Sequence, residues 1–153
     1  MFRRAEGPQG EVWVLLQFML ITWLAARAWL ALNTRTVPLD AMVSALAGVA
    51  LGLWAISANR PGNFNIRPIP REGAALVRHG PYRFIRHPMY SAVLLCGLAA
   101  ARCAGARLDW LALIGLAAVL FVKARREEQS LIRVHRDYLD YMRRSRRFIP
   151  WVV

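Results

Sequence analysis

Acidic residues are scarce in this sequence: nine Asp and Glu stand against 21 Lys and Arg, giving a net charge of +12 over 153 residues. Soluble domains rarely combine such a charge with a hydrophobic content above half, and here that content is 57%. A strong positive charge is also typical of nucleic-acid-binding proteins. The basic clusters adjoin long apolar runs, however, which argues against nucleic acid as a partner and favours a membrane protein with basic cytoplasmic segments.

Cysteine is equally scarce, with only Cys96 and Cys103 in the whole chain. Both lie in or next to an apolar run, and their spacing matches no metal-binding motif. We therefore expect two buried free thiols and no metal site in this protein.

Charge is nearly absent from two long segments, and each of them predicts a membrane-spanning helix. Residues 12–32 contain one charged side chain, Arg27, about a turn and a half from the end, where snorkelling accounts for it. Residues 41–58 contain none. As helices, both segments are long enough to cross a hydrocarbon core of roughly 30 Å, and the short turn through Pro38 makes them a hairpin.

The remainder of the chain predicts a loop, a second hairpin and a C-terminal helix. Four prolines in residues 59–87 argue against a long helix there, so we expect a cytoplasmic proline-rich loop. Residues 88–122 contain two apolar stretches, each short for a full crossing, which we interpret as a second membrane hairpin. Residues 123–147 predict a basic amphipathic helix. The sequence thus predicts an all-α fold, a single-domain integral membrane helical bundle of about four transmembrane helices plus this C-terminal helix.

The distribution of basic residues predicts the orientation of the bundle. With the N-terminus in the cytoplasm, the cytoplasmic segments hold seventeen Lys and Arg: two at the start, six in the loop and nine in the tail. The two outer turns hold three. The positive-inside rule therefore places both termini and the loop in the cytoplasm. We expect an integral protein of a bacterial inner membrane.

The densest polar chemistry is the stretch HGPYRFIRHPMY, residues 79–90, at the start of the third predicted crossing. The hairpin brings it close to an acidic pair just past the fourth crossing, Glu127 and Glu128. A helix start and a guanidinium attract carboxylates, and a glutamate accepts hydrogen bonds from amines or ribose hydroxyls. Such a set suits an amino-acid nucleoside. Simple solvated charges or lipid-headgroup contacts remain the alternative.

Helical periodicity distinguishes the two glutamates. Glu127 shares a face with apolar and aromatic residues of the predicted C-terminal helix, namely Leu131, Val134, Tyr138 and Tyr141. We therefore expect Glu127 to point to the packed side and to bind the ligand. Glu128 is rotated by about 100°, so we expect it to point away and to contribute little.

The motifs LVRHGPYRFIRHPMY, EEQSLI, YLDYMRR and FIP, in this order and with a hydrophobic hairpin after the first, resemble the isoprenylcysteine carboxyl methyltransferase family. The resemblance covers most of the chain. It implies an integral membrane enzyme that transfers a methyl group from S-adenosylmethionine. It also implies a set of cofactor-binding residues: Leu76, Val77, Tyr82, Arg86, His87, Pro88, Met89, Tyr90 and Glu127.

The resemblance further implies two catalytic residues, Lys123 and Arg144. At the position of Lys123, eukaryotic relatives have an arginine that contacts the substrate, and lysine lacks the planar fork that holds a carboxylate. The acceptor therefore stays open among lipophilic or amphiphilic carboxylates, phenols, thiols and amines. His135-Arg136 and Ser145-Arg146 also depart from the family pattern, and we expect these changes to leave the C-terminal helix straighter.

Two other functions share parts of the pattern. Membrane sterol reductases, which use NADPH, have an RHPxY-like stretch, an acidic pair and a C-terminal Tyr…Ile-Pro tail. A non-catalytic scaffold that binds anionic lipid would explain the basic surfaces, although the acidic pair would repel such lipid. For the methyltransferase, we expect the lipid bilayer and a lipophilic small-molecule or lipidated acceptor as partners.

Overall fold

In the computed structural model of this chain, residues 9–59 and 76–149 are described, and their regular secondary structure is helical. Five α-helices and one 3-10 turn follow in chain order: α1 Gln9–Leu32, α2 Leu39–Ala58, the turn Gly80–Arg83, α3 Pro88–Ala104, α4 Arg107–Val134 and α5 Tyr138–Arg144. An isolated β-bridge joins Ile85 to Arg146. The prediction of an all-α fold is confirmed for this part of the chain.

Two of these helices are long and apolar enough to cross a membrane. They are Gly10–Leu32, with 23 residues, and Leu39–Ala58, with 20 residues. At about 1.5 Å per residue, each reaches the roughly 30 Å of a hydrocarbon core. Most of their side chains are exposed, as expected for helices that face lipid. α3 is shorter, so a helical membrane bundle is supported while the number of four crossings stays a prediction.

The short helix α3 lies at the centre and packs against α1, α2 and α4. Close packing with α2 depends on Gly48, where an added Cβ would lie 2.7 Å from Cys96 Sγ and 3.0 Å from the Ala92 carbonyl oxygen. Small residues at helix interfaces let backbones approach closely in membranes, where the hydrophobic effect does not drive helices together. The bundle is therefore held by close contact around α3.

The cysteines are not buried as predicted. Both are free thiols, but Cys96 is exposed and Cys103 is partly exposed. An apolar helix in a membrane is surrounded by lipid on some faces, so an apolar neighbourhood in the sequence does not imply burial inside the protein.

An ion pair that the sequence did not reveal joins α1 to the start of α4. Asp109 is fully buried and accepts hydrogen bonds from Arg27 Nε at 3.1 Å and from Trp23 Nε1 at 3.2 Å. It also accepts from the N–H of Ala106 at 3.1 Å, which caps α4. Snorkelling is thus the wrong explanation of Arg27, because its guanidinium is paired within the protein.

The predicted single helix over residues 123–147 is also wrong. α4 continues without a break from the apolar hairpin to Val134 and ends at His135, whose backbone is extended. α5 begins only at Tyr138, and Tyr138 and Tyr141 are both buried. The chain turns between the helices because these rings pack inward, whereas Val134 is 64% exposed. The departure at residues 135–136 therefore coincides with a break rather than with a straighter helix.

Candidate active site

The C-terminal tail lies beside the segment that leads into α3. The N–H of Arg86 donates to the Arg146 carbonyl at 2.7 Å, and the N–H of Arg146 donates to the Phe84 carbonyl at 2.9 Å. One residue further, the N–H of His87 donates to the Arg147 carbonyl at 3.1 Å. These bonds bring residues from the first and the last of the quoted motifs together, beside the start of α3.

Glu128 is the centre of a buried charge network at this junction. It is 3% exposed and accepts hydrogen bonds from Arg86 Nε at 2.8 Å and from Arg147 Nη2 at 2.6 Å. His87 Nε2 lies 3.3 Å from the same carboxylate. Burial by itself raises the pKa of Glu128, but the hydrogen bonds from His87, Arg147 and Arg86 outweigh it and hold the pKa below its ordinary range. Glu128 is therefore ionised, and it joins the segment before α3, the helix α4 and the C-terminal tail to one another.

The guanidinium of Arg86 is engaged mainly by the protein. Besides Glu128, it donates from Nη1 to the carbonyls of Met142 at 3.2 Å and of Ser145. Its side chain is 8% exposed. Nε and Nη1 are therefore occupied by partners within the protein, and a contact between Arg86 and the cofactor stays a prediction.

The predicted orientation of Glu128 is wrong as well. Glu128 points into the protein, and Glu127 is the more accessible of the two, with a side chain that is 33% exposed. The difference has a physical cause: two residues of the predicted face, Tyr138 and Tyr141, belong to α5 and not to the helix that carries the glutamates. A helical face continues only as long as the helix does.

Glu127 lies on the accessible side of the same cluster. The hydroxyl of Tyr90 donates to its Oε2 at 3.2 Å, and His87 Nδ1 is 3.6 Å from that oxygen. The rings of His87 and Tyr90 are stacked, with centroids 5.3 Å apart. Burial and the charge of Glu127 raise the pKa of Tyr82 to about 12, so its hydroxyl keeps its proton at neutral pH. Glu127 thus presents a carboxylate that a ligand can reach, with hydroxyl donors nearby.

Lys123 is 1% exposed and lies one helical turn before Glu127. Its Nζ donates to Oε1 of Gln17 on α1 and lies 5.7 Å from the centre of the Tyr90 ring. Sequence reasoning had missed Gln17, although a signal was present: it is the only amide side chain in the apolar residues 12–32. Buried polar residues in such segments are candidates for function.

The remaining residues of the predicted site differ in burial and in their distance from the cluster. Leu76 and Val77 are half-buried just before the 3-10 turn, and Pro88 is buried at the first position of α3. Arg144 is exposed near the end of α5, and within residues 9–59 and 76–149 no hydrogen bond joins its side chain to the cluster. The structure therefore gives Arg144 no role in the geometry of this site.

An apolar cavity of about 490 Å³ lies between α1, α2 and α3, directly beside the polar cluster. Its lining includes Ile21, Val49, Leu53, Met89 and Val93. Val49 is 53% exposed and Leu53 is 62% exposed, so the cavity is open sideways, where the bilayer would lie. Met89 is the neighbour of Tyr90 in the first turn of α3, and through these two residues the cavity and the cluster adjoin.

A known protein family matches the part of the chain that contains most of this site. A family model described as the isoprenylcysteine carboxyl methyltransferase (ICMT) family matches residues 39–133, which is more than half of the chain. The match includes the cavity-lining parts of α2 and α3, the cluster residues of α3 and α4, and Lys123. It includes neither α1 nor α5 and the tail that follows it. No curated protein matches the chain.

Proposed function

We propose that this chain transfers a methyl group from S-adenosylmethionine to a lipophilic or amphiphilic acceptor at the membrane. The chain belongs to the isoprenylcysteine carboxyl methyltransferase family and is thus a methyltransferase. The observation that carries the proposal is the adjacency of Met89 and Tyr90. Met89 lines the apolar cavity, while the Tyr90 hydroxyl is bonded to the accessible carboxylate of Glu127. A polar cofactor and a lipophilic acceptor can therefore meet at the start of α3.

The residues of the cluster fit the polar groups of this cofactor. The carboxylate of Glu127 can accept hydrogen bonds from an amine or from ribose hydroxyls. The Tyr82 hydroxyl can donate one, and the half-buried Leu76 and Val77 can cover an apolar ring. When bound, the cofactor supplies an electrophilic methyl group on a sulfonium. The set predicted from the sequence thus remains our proposal for the binding residues.

The contribution of the protein to such a transfer is mainly positioning. Holding two reactants in line can lower a barrier by roughly 7–11 kcal/mol in favourable cases. The network around Glu128 fixes the first turn of α3 against α4 and the tail, so that Met89 and Tyr90 are held between the two reactants. The apolar walls of the cavity exclude water from the acceptor's side. The side opening offers the acceptor a path from the bilayer.

The test of this function is ligand preference. We expect S-adenosylhomocysteine to raise the melting temperature of the detergent-solubilised protein, because a ligand at about a hundredfold excess over its Kd stabilises by about 2.7 kcal/mol. NADPH and anionic lipid are the matched comparisons. Stabilisation by NADPH, or by anionic lipid alone, would contradict S-adenosylmethionine as the cofactor.

The proposed orientation, with both termini in the cytoplasm, draws support from contacts at the other end of the bundle. Arg35 Nη1 donates to the Ala104 carbonyl at 3.3 Å, and Arg102 pairs with Asp40 at 2.6 Å. The turns after α1 and after α3 therefore lie at one end. These turns carry few basic residues, and the opposite end carries many.

Cysteine labelling on intact cells tests this orientation. In a variant whose two native cysteines are replaced by alanine, we expect a membrane-impermeant maleimide to modify Thr34→Cys and to leave Val153→Cys unmodified until the cells are opened. The physical reason is the excess of arginine on the side of the tail. The reverse labelling pattern would contradict the orientation without touching the assignment of the cofactor site.

A further inference from the structure

The turn Gly80–Arg83 carries Tyr82, one of the residues proposed to bind the cofactor. Tyr82 is half-buried, and the charge of Glu127 is close enough to help raise the pKa of its hydroxyl, so these two proposed cofactor-binding groups lie near one another. A turn of four residues has no hydrophobic core of its own, and its position depends on the elements that pack against it. Two such elements are the helices α2 and α5.

The contact between the turn and the end of α2 is close. Gly80 has a φ of +60°, which favours glycine, and an added Cβ would lie 2.7 Å from the Cβ of Ala58 and 3.4 Å from Nε1 of Trp54. Asn59, at the C-terminal end of α2, forms a side-chain hydrogen bond with the hydroxyl of Tyr82. This bond fixes the position of the Tyr82 hydroxyl relative to α2.

The helix α5 holds the same segment through a different set of contacts. The hydroxyl of Tyr141 donates to the carbonyl of Tyr82 at 2.6 Å. Arg78, two residues before the turn, lies 3.5 Å from the carboxylate of Asp137 and 5.9 Å from the centre of the Tyr141 ring. Tyr141 is 8% exposed, and burial raises its pKa to about 12, so at neutral pH the hydroxyl keeps the proton that it donates.

We propose that Tyr141 and Asn59 are positioning residues for the cofactor, because they fix the backbone and the hydroxyl of Tyr82 in the arrangement in which Tyr82 binds it. This inference rests on the proposed function and deepens it, since it assigns a role in cofactor binding to α5, which lies outside the family match. A group that the protein already holds in place loses little freedom when a ligand binds, and the ligand therefore binds more tightly.

Removal of the Tyr141 hydroxyl tests the proposal. Tyr141→Phe keeps the ring and removes the donor to the Tyr82 carbonyl, and we expect its affinity for S-adenosylhomocysteine to fall by about threefold to tenfold in calorimetric titration. Ser145→Ala is the matched control, because it removes another buried hydrogen bond of α5, from the Ser145 hydroxyl to the carbonyl of Tyr141 at 2.7 Å, that does not involve the turn. This control should lose stability and keep the affinity of wild type.

A double-mutant cycle separates a positioning role from a general loss of structure. In a Tyr82→Phe background the hydroxyl that is to be positioned is absent, so Tyr141→Phe should weaken binding further by less than about twofold. A merely structural role of Tyr141 predicts the same loss of affinity in both backgrounds. Asn59→Ala is the second variant in case Tyr141→Phe does not fold, and its effect should depend on Tyr82 in the same way.

The outcomes separate this inference from the function on which it rests. If wild type does not bind S-adenosylhomocysteine, the proposed function is wrong and the inference falls with it. If wild type binds but Tyr141→Phe and Asn59→Ala keep its affinity, or lose the same factor with and without the Tyr82 hydroxyl, only the positioning role is wrong. A loss of affinity in Ser145→Ala as large as that in Tyr141→Phe would also contradict the positioning role.

Discussion

Glu128→Ala is expected to lower the free energy of unfolding by roughly 3–5 kcal/mol, because removing one partner of a buried charge network leaves the others uncompensated. The carboxylate is 3% exposed and holds Arg86 and Arg147 at 2.8 Å and 2.6 Å. Without it, the guanidinium of Arg86 stays buried beside the carbonyl oxygens of Met142 and Ser145 and has lost the carboxylate with which it is paired. Equilibrium unfolding in mixed detergent micelles measures the loss.

The neighbouring glutamate supplies the matched control. Glu127→Ala removes the same group from a side chain that is 33% exposed, and exposed charge pairs contribute at most about 1 kcal/mol. We therefore expect a much smaller loss of stability from Glu127→Ala than from Glu128→Ala. Equal losses from the two variants would contradict the assignment of Glu128 as the centre of the network.

The pH dependence of stability gives an independent check on the same residue. The pKa of Glu128 is below its ordinary value of 4.5, so its stabilising contribution is complete above that pH and is lost as the pH falls through the folded-state pKa. Wild type should consequently lose stability more steeply in acid than Glu128→Gln, which cannot bind the proton. The two curves should run parallel near neutral pH.

The network explains how distant parts of the sequence form one site. Arg86 precedes α3, Glu128 lies on α4, and Arg147 lies in the tail after α5. Ser91 on α3 adds a hydrogen bond from its hydroxyl to the Phe148 carbonyl at 2.7 Å. The tail is therefore part of the structure that positions the first turn of α3, although the family match ends at residue 133. Loss of the tail is therefore expected to disturb the proposed cofactor site without removing a residue proposed to bind the cofactor.

Composition and periodicity were sufficient to predict α1, α2 and the meeting of α3 with α4, because these features depend on residues close together in the chain. The pairing of Arg27 with Asp109 was not predictable in this way, since the two residues lie in different helices and their contact depends on how α1 packs against α4. Arg147 is one of several arginines near the C-terminus, and nothing in its neighbourhood distinguishes it. Glu128 was misplaced because the break after Val134 was not foreseen.

The two glutamates consequently have different roles. The helical spacing predicts the same division of roles, but for a reason that the structure contradicts. Glu128 is saturated by arginines and has little capacity left for a ligand. Glu127 is bonded to the Tyr90 hydroxyl and remains partly accessible beside the half-buried Tyr82. The residue proposed to bind the cofactor is therefore the same as the sequence suggested, and the reason is its accessibility rather than its burial.

Glu127→Gln is expected to weaken binding of S-adenosylhomocysteine by about tenfold to a hundredfold. A hydrogen bond to a charged group contributes roughly 1.5–3 kcal/mol, and about 1.4 kcal/mol is a factor of ten in Kd. The amide keeps the shape of the side chain, but it loses the negative charge and one of the two oxygens that accept hydrogen bonds from an amine or from a pair of ribose hydroxyls. Isothermal titration calorimetry in detergent measures the change.

The control for this variant is Asp40→Asn, which removes an equal charge from an exposed side chain at the opposite end of the bundle, where it pairs with Arg102. Its affinity should equal that of wild type, because a solvent-exposed charge more than a Debye length from the site is largely screened. The melting temperatures of both variants without ligand should stay near that of wild type. With stability unchanged, a loss of affinity in Glu127→Gln cannot be due to unfolding. Unchanged affinity would contradict the assignment of Glu127 to the cofactor site.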